Sequence, residues 1–592
     1  MRHARSLGSA RLALLLLAAG LPASDAAAQP TPFSILPSRC ATASESCPAP
    51  LAVMFETTIS DPDFVQWHCE WDFGDGDSVS GGSATWKYTV APPPWNEKNR
   101  AIGPIAQHVY EYNDGQSGEI PYTVTLRCWD ETGADQGTAT ATLYVDDPAA
   151  VWSGTKTICI SASGSFTGCP EGAEKVTSSD FDAATSAHLA AGRRILLRRG
   201  EVFTADDRVS LFDLDGPGMI GAYDSGAKPL IHRIEPGPSL IRFSGTHDWR
   251  IADLDLAGPG GVTKPNRGIC ANAGCGATAA SDDMLFLRVD NNGFHTPFLL
   301  TLDVIRDSRI FLVGPATLSN VGGLALNGNP IFLGAIESAL IDHDVSGGVH
   351  VVRWMCIQNS LIQHNWTHSA WDGLNVRGCS STLGPGVNFR VVVSDNQFDL
   401  PLRVPGGQNN LNMQVHYLLF ERNVMNGITN QTEPYSSMYR NNVCIRSSDS
   451  CFQIRNVNAL TPPPHDTKFF NNSFYNPTGN QPAIYFVNTQ GPGHECKNNI
   501  VYAPTSGTAL ACQDSSSGVP DIADNWNDAS PTSPYVAPSP ASLSDFRLAC
   551  PTAGVAACAV ALPPLLPSDA GGRCRDTPGD WGAWEQPGAP CS

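Results

Sequence analysis

The stretch from Asp342 to Arg377 holds the side chains best suited to proton transfer in this 592-residue chain: His343, Asp344, His350, Arg353, Trp354, His364, Trp366, His368, Trp371, Asp372, Asn375 and Arg377. Four of the 14 histidines fall in it, which makes it histidine-rich. A histidine beside a carboxylate suits general acid–base work, because the carboxylate orients the ring and stabilises its protonated form. Arginine adds a permanent cation for a substrate carboxylate, and tryptophans stack on sugar rings. On this reading His364 or His368 is the base, Asp372 orients it, and Arg353 or Arg377 faces an acidic sugar. His343 belongs to the same acid–base group, while His350, Trp366, Trp371 and Asn375 hold substrate. The plainer reading makes the tryptophans core, Asp and Asn turn formers, and the histidines solvated edges.

Composition bounds what such a site can act on. A formal charge of −20 argues against nucleic acid or an anionic membrane as partner, since both demand a basic face. A polyanionic glycan would need a local basic patch or a bridging cation such as calcium. The chain opens with Arg2, His3, Arg5 and Arg11 before the apolar run Leu12 to Ala19 and the small residues Ala26 to Ala28. This is the pattern of an export signal cleaved near Ala28, too short to span a bilayer, so a secreted chain is expected. All 18 cysteines follow that point, as an oxidising compartment permits. Zinc sites show close Cys pairs in twos or with histidines, and only Cys270 and Cys275 lie close, so no metal site is assigned. Pairing neighbours gives Cys40 with Cys47, Cys69 with Cys128, Cys159 with Cys169, Cys270 with Cys275, Cys356 with Cys379, Cys444 with Cys451, Cys496 with Cys512, Cys550 with Cys558 and Cys574 with Cys591.

The elements that must position the site are strands. With 55 Gly and 46 Pro the chain is turn-rich, and an all-β fold is expected. Ala52–Glu56, Trp67–Phe73, Tyr122–Trp129 and Ala139–Val145 read as strands of an amino-terminal β-sandwich, with Cys69 and Cys128 placed to bridge its sheets. After a connector and a short helix over Phe181–Ala191, a repeat begins. Strand-like segments end in a polar residue and Asn, at 365, 396, 423, 442, 472 and 499, separated by 31, 27, 19, 30 and 27 residues. Each turn of a solenoid needs a sharp corner, where Asn tolerates left-handed geometry and its amide can reach the Asn one strand spacing away, about 4.8 Å. Laying Leu340-Ile341 over Leu361-Ile362 puts His343 beside His364, and Gly348–Val351 over Gly373–Val376.

Three groups of residues carry family resemblances. Trp71-Asp72-Phe73-Gly74-Asp75-Gly76, with His108–Glu111 and Tyr122–Leu126, resembles the PKD signature, which implies an extracellular spacer or binding module. Its acidic turn offers carboxylates to calcium, or else only satisfies backbone donors. Leu197–Phe203, Ile220–Tyr223 and Gly226–Ile231 resemble the entry coils of right-handed parallel β-helix proteins of the pectate-lyase kind. Asp545–Leu548, Asp569–Arg573 and Gly579–Glu585 resemble their closing cap. The boundaries read as signal peptide 1–28, PKD-like β-sandwich 29–147, connector 148–180 and right-handed parallel β-helix with cap 181–592. The scaffold implies a polysaccharide lyase on a uronate-containing glycan, acting as a monomer. The alternatives are a glycoside hydrolase using a pair such as Asp344 and Asp372, or a non-catalytic glycan-binding or adhesion protein. The paired-Asp motifs of polygalacturonases, the acidic calcium motif of pectate lyases and the Asp-Pro-His-Glu motif of alginate epimerases do not appear in full. Lysine, the base in some β-helix lyases, is confined in the solenoid to Lys228, Lys264, Lys468 and Lys497. Calcium is the one cofactor candidate.

Overall fold

A computed structural model describes residues 32–528, apart from internal stretches of which 76–99, 321–330, 378–387 and 400–413 are the longest, together with Ser533, Tyr535 and Phe546. The proposed signal peptide and closing cap lie outside the described residues. The amino-terminal part is a two-sheet antiparallel sandwich. Ile35–Pro37, Leu51–Thr57 and Ala106–Tyr110 form one sheet, and Arg100–Ile102, His68–Asp72, Ile120–Trp129 and Asp135–Val145 the other. Trp71 and Phe73 alternate into its core as their period-2 spacing predicts. Gly74 sits at φ +75°, where a Cβ would meet the Thr123 carbonyl oxygen at 2.3 Å, so the turn admits only glycine. In that turn Asp72 accepts from the Gly74 N–H at 2.9 Å, and Asp75 meets His108 at 2.6 Å. Both acids are therefore engaged by the protein itself. Cys69 and Cys128 are bonded, but as directly opposed residues of one sheet and not as a bridge between sheets. Five more neighbour pairs are bonded as expected, from Cys40–Cys47 to Cys496–Cys512. Cys356, Cys379 and the last four cysteines fall outside the described residues.

The rest is a parallel β-helix. Successive strands pair in parallel with the equivalent strand one coil on, in three faces. The first face runs from Arg194–Arg198 through Asp215–Tyr223 to Asp521–Ala523, and the second from Val202–Ala205 to Trp526–Asp528. The third includes a seven-stranded sheet from Val209–Phe212 to Asp372–Arg377. The stretch 148–180, expected as a connector, already contributes a rung: Thr157–Ser161 pairs with Arg194–Leu197. All five residues of that strand are buried, and the Gly/Ser-rich turns around it hide it in the sequence. The helix Phe181–His188 is capped by Asp180 and buries Phe181 and Ala184 on the end of the solenoid core.

The corner between first and second faces sets the register. Each ladder asparagine donates its side-chain amide to the next: Asn365 to Asn396, Asn396 to Asn423, Asn423 to Asn442, Asn442 to Asn472 and Asn472 to Asn499, at 2.9–3.2 Å. The column gains a seventh member, Asn525, at 3.0 Å from Asn499. Each side-chain oxygen also accepts the backbone N–H of the residue one rung earlier, as Asn442 does from Asn423 at 2.9 Å. The left-handed residue is not the asparagine but the one before it: His364, Asp395, Arg422, Asn441, Asn471, Asn498 and Asp524 all have φ between 51° and 57°. The corner thus divides two tasks between neighbours, one supplying the turn and the other the buried amide.

The sandwich lies against the first face of the solenoid. Ala52, Met54, Phe64, Val65, Ile105 and Val109 share one apolar cluster with Leu285, Phe311, Leu361, Val392, Leu419 and Met438. Arginines from several rungs reach across. Arg250 donates to the Pro48 and Pro50 carbonyls at 3.1 and 3.0 Å, Arg309 to Ser38 at 3.2 Å, and Arg390 to Ile59 at 3.2 Å. Arg440 donates to Gln66 and Trp67 at 3.0 and 2.9 Å. Arg440 also holds buried Glu421, which pairs with Arg422 and through it with Asp395. Burial opposes the Glu421 charge, but Arg422 and Arg440 outweigh it and hold the carboxyl down at about 2. The docked sandwich covers this face of the solenoid. Among the described residues no helix is long and apolar enough to cross a membrane.

Replacing Asn442 by Ala removes a buried donor and acceptor in mid-column and leaves the Asn423 N–H unpaired, which costs about 3 kcal/mol. The same change at part-buried Asn525, the last described member of the column, costs less; urea midpoints of the two variants give the comparison. Arg440→Ala leaves Glu421 with one partner and uncaps two sandwich carbonyls, a loss of about 3–5 kcal/mol. Limited proteolysis then cuts the chain between sandwich and solenoid faster than in the unaltered protein.

Candidate functional site

On the second face, the residues one and three places after the ladder position point outward, and the one between them points in. Register therefore aligns Asp344, Trp366 and Gln397 in one outward row and Ser346, His368 and Asp399 in the next. His368 Nε2 lies 2.8 Å from Asp344 Oδ1 one rung back. The Trp366 and His368 rings stack at 3.8 Å and 21°, and Trp366 Nε1 donates to Asp399 Oδ2 at 2.8 Å. Asp344, Trp366, His368 and Asp399 are all partly open to solvent. This is an imidazole with an orienting carboxylate, beside an indole fixed by a second carboxylate, on an accessible sheet. Two and three rungs before Asp344 its row holds Asp290 and Asp255 in register. Lys228 reaches Asp290 at 2.6 Å, and burial first, then Asp290, raises the Asp255 carboxyl above its usual range.

The other expected residues separate into two groups. His364 is the left-handed corner residue, 3.4 Å from Asp342 and 4.0 Å from Asp395. It belongs to a charge column running Asp342, His364, Asp395, Arg422 up the corner. Burial opposes its protonation, but the two carboxylates prevail and raise its pKa. His343 takes the place of a ladder asparagine: its backbone N–H donates to Asn365 Oδ1 at 3.0 Å and its ring is buried. Burial pushes that ring down to about 4, which holds it neutral.

His350, Arg353, Asp372, Asn375 and Arg377 lie on the third face, where His350 is opposite Asp372, Arg353 opposite Asn375 and Met355 opposite Arg377. Their side chains, and Trp371, are outside the described set. The alignment expected from sequence is off by one residue: Leu340 pairs with Ile362 and not with Leu361. His343 therefore faces Asn365, and Asp342 is the residue beside His364. On the third face the slip is three residues, His350 meeting Asp372 rather than Asn375. The apolar pairs admit either register; the left-handed corner and the buried amide do not. Asp372, expected as the partner of His368, starts a strand around the next corner, and Asp344 holds that place. Asp399 and Gln397 were missed, although their spacing from Asn396 repeats that of His368 and Trp366 from Asn365.

No family model matches the chain, and no curated relative does. Among solved structures it is similar to a family 28 exopolygalacturonase from Yersinia enterocolitica, at 11% identity and TM-score 0.38, over 81% of this chain and 97% of that one. It is similar to the A-module of the mannuronan C-5 epimerase AlgE6 from Azotobacter vinelandii, at 10% identity and TM-score 0.36, over 58% and 92% of the two chains. It is similar to pectate lyase Pel9A at 13% identity and TM-score 0.34, over 73% and 96%. The parallel-coil architecture follows from the strand registers of this chain itself.

The two histidines give opposite pH signatures. His343 has a folded pKa below its unfolded value of about 6.5, so its neutral burial stabilises fully above pH ~6.5 and that contribution is lost as pH falls toward 4. His364 has a raised folded pKa, so its contribution is complete below pH ~6.5 and is lost as pH rises through the folded value. His343→Asn extends the amide column by one member and removes the acid-labile contribution of the buried ring. Denaturation at pH 7 and pH 4.5 then shows a smaller acid loss in this variant than in the unaltered protein.

Proposed function

We propose that the second face around Asp344, Trp366, His368 and Asp399 is the active site of an extracellular polysaccharide-active enzyme that cleaves a uronate-containing glycan by β-elimination. The observation that carries this reading is the His368–Asp344 contact at 2.8 Å with Trp366 stacked on the imidazole, on an open sheet. Asp344 orients the imidazole, which takes the proton at C5 of the uronate; a C4–C5 double bond forms as the C4–O bond breaks, and the imidazolium returns a proton to the departing glycan oxygen. Trp366 supports a sugar ring. Arg353 or Arg377, on the strands of the neighbouring face, neutralises the uronate carboxylate. His364, held between two carboxylates at the corner, is better placed to fix the fold than to move a proton. His350, Trp371 and Asn375 remain candidates for substrate contacts around the corner.

The six disulfides of the described residues suit an oxidising compartment, and export through a cleaved leader completes this reading. The sandwich is a PKD-like module by its Trp71–Gly76 motif. Right-handed winding, which parallel crossovers favour almost without exception, belongs to the same proposal.

A panel of polygalacturonate, alginate and neutral glycans, read by ultraviolet absorbance of the unsaturated product, tests the activity. His368→Ala lowers kcat by about 10²–10⁴-fold with the urea midpoint unchanged. Full turnover in that variant rejects the residue assignment. Reducing ends without absorbance indicate hydrolysis, and binding without turnover of any glycan indicates an adhesion protein.

A further inference from the structure

Arginines in this acidic chain are mostly neutralised within the protein. Arg39, Arg127, Arg198, Arg250, Arg288, Arg309, Arg390, Arg422 and Arg440 each have a carboxylate within ion-pair distance. At the amino-terminal end of the third face three do not: among the described residues, Arg208, Arg242 and Arg267 have no carboxylate that close.

The disulfide loop Cys270–Cys275 holds two of them in place. Arg242 donates from Nε to Ser210 Oγ at 2.8 Å and from Nη1 to the Cys275 carbonyl at 2.9 Å, with its guanidinium 4.5 Å above the Phe212 ring. Arg267 donates from Nη1 to the Gly274 carbonyl at 3.4 Å and lies 3.0 Å from Cys275 Sγ. Each guanidinium is thus fixed by neutral groups, half-buried, and left with N–H donors unused among the described residues. Burial, and for Arg242 also the nearby Arg208, disfavours their charge, with Asp207 only a partial offset. Positive charge held together with only partial internal compensation is a standing cost, which a bound anion relieves.

We infer that Arg208, Arg242 and Arg267, with the Phe212 ring, form an anchoring subsite for the carboxylate or sulfate groups of an acidic polysaccharide, on a face separate from the His368 site. Register supports a linear ligand. By strand register the third-face column that holds Arg242 runs on through Cys270, Leu299, Phe332 and Arg353. Arg353 therefore occupies the same column four rungs on, about 19 Å away at the strand spacing. A chain lying along the solenoid axis from the arginine group runs toward that rung. A local basic patch is also what a chain of net charge −20 needs to hold a polyanion at all. The inference rests on the glycan-acting reading, and its test reads binding instead of turnover, so the two fail separately.

The experiment measures binding of the full chain to polygalacturonate, alginate and chondroitin sulfate, with dextran as the neutral control, at low and high salt. The unaltered protein binds at least one polyanion and not dextran, and affinity falls steeply toward ~1 M salt, where the screening length is about 3 Å. The double variant R242A/R267A loses about tenfold or more in affinity. R208A, whose side chain makes no described contact to the loop, loses several-fold with an unchanged melting temperature, which separates charge from folding. Failure of the unaltered chain to bind any of the three polyanions in preference to dextran overturns the proposal. Equal affinity of R208A and R242A/R267A to the unaltered protein overturns it as well.

Discussion

The buried amide column at the first corner is the constraint on which the rest of the structure depends. A parallel solenoid has no hairpin turns to fix how one rung lies on the next, and an apolar interior of Leu, Ile, Val and Phe tolerates slippage. An amide in that interior does not, because its N–H and carbonyl groups must meet partners or forfeit their hydration. In the column each asparagine satisfies the amide before it, the amide after it and a backbone N–H. A slip of one residue would break all of these together and turn every outward side chain inward. The preceding left-handed residue makes the corner sharp enough to bring the amide inside.

Once register is fixed, position relative to the column decides what each residue does. One place before is the corner, where Asp342, His364, Asp395 and Arg422 alternate in charge and stabilise one another. One and three places after are the open rows of the second face, where Asp344, Trp366, His368 and Asp399 gather from three rungs. Residues of the same type therefore differ in role by place alone. His343 is a buried ladder member, His364 a corner cation, and His368 an accessible imidazole beside a carboxylate.

Docking of the sandwich decides which faces remain for chemistry. The first face would present apolar side chains and arginines to water; instead the sandwich covers the apolar groups and offers carbonyl oxygens and carboxylates to the arginines. Buried Glu421 shows how tightly the junction is balanced, since it lies between Arg422 and Arg440 and the second of these also binds the sandwich backbone. Charge compensation of this kind consumes most arginines along the first face, while among the described residues Arg208, Arg242 and Arg267 at the third face have no carboxylate within ion-pair distance.

The sequence by itself determined the local, periodic features: the recurring asparagines and hence the solenoid, the alternation of Trp71 and Phe73 into a sandwich core, the turn glycine Gly74, and the neighbouring cysteine pairs that are described. These are legible because each rests on residues close in the chain or on a repeat. Only the tertiary structure decided the register between rungs, which apolar pairs such as Leu340 over Leu361 or Ile362 cannot discriminate, and hence that His368 meets Asp344. It alone decided that 157–161 is already a rung, that Cys69 and Cys128 share one sheet, and that the sandwich closes the first face. Those outcomes depend on side chains tens to hundreds of residues apart, such as Arg440 and Trp67, whose pairing follows from burial and charge balance and leaves no pattern in the local sequence.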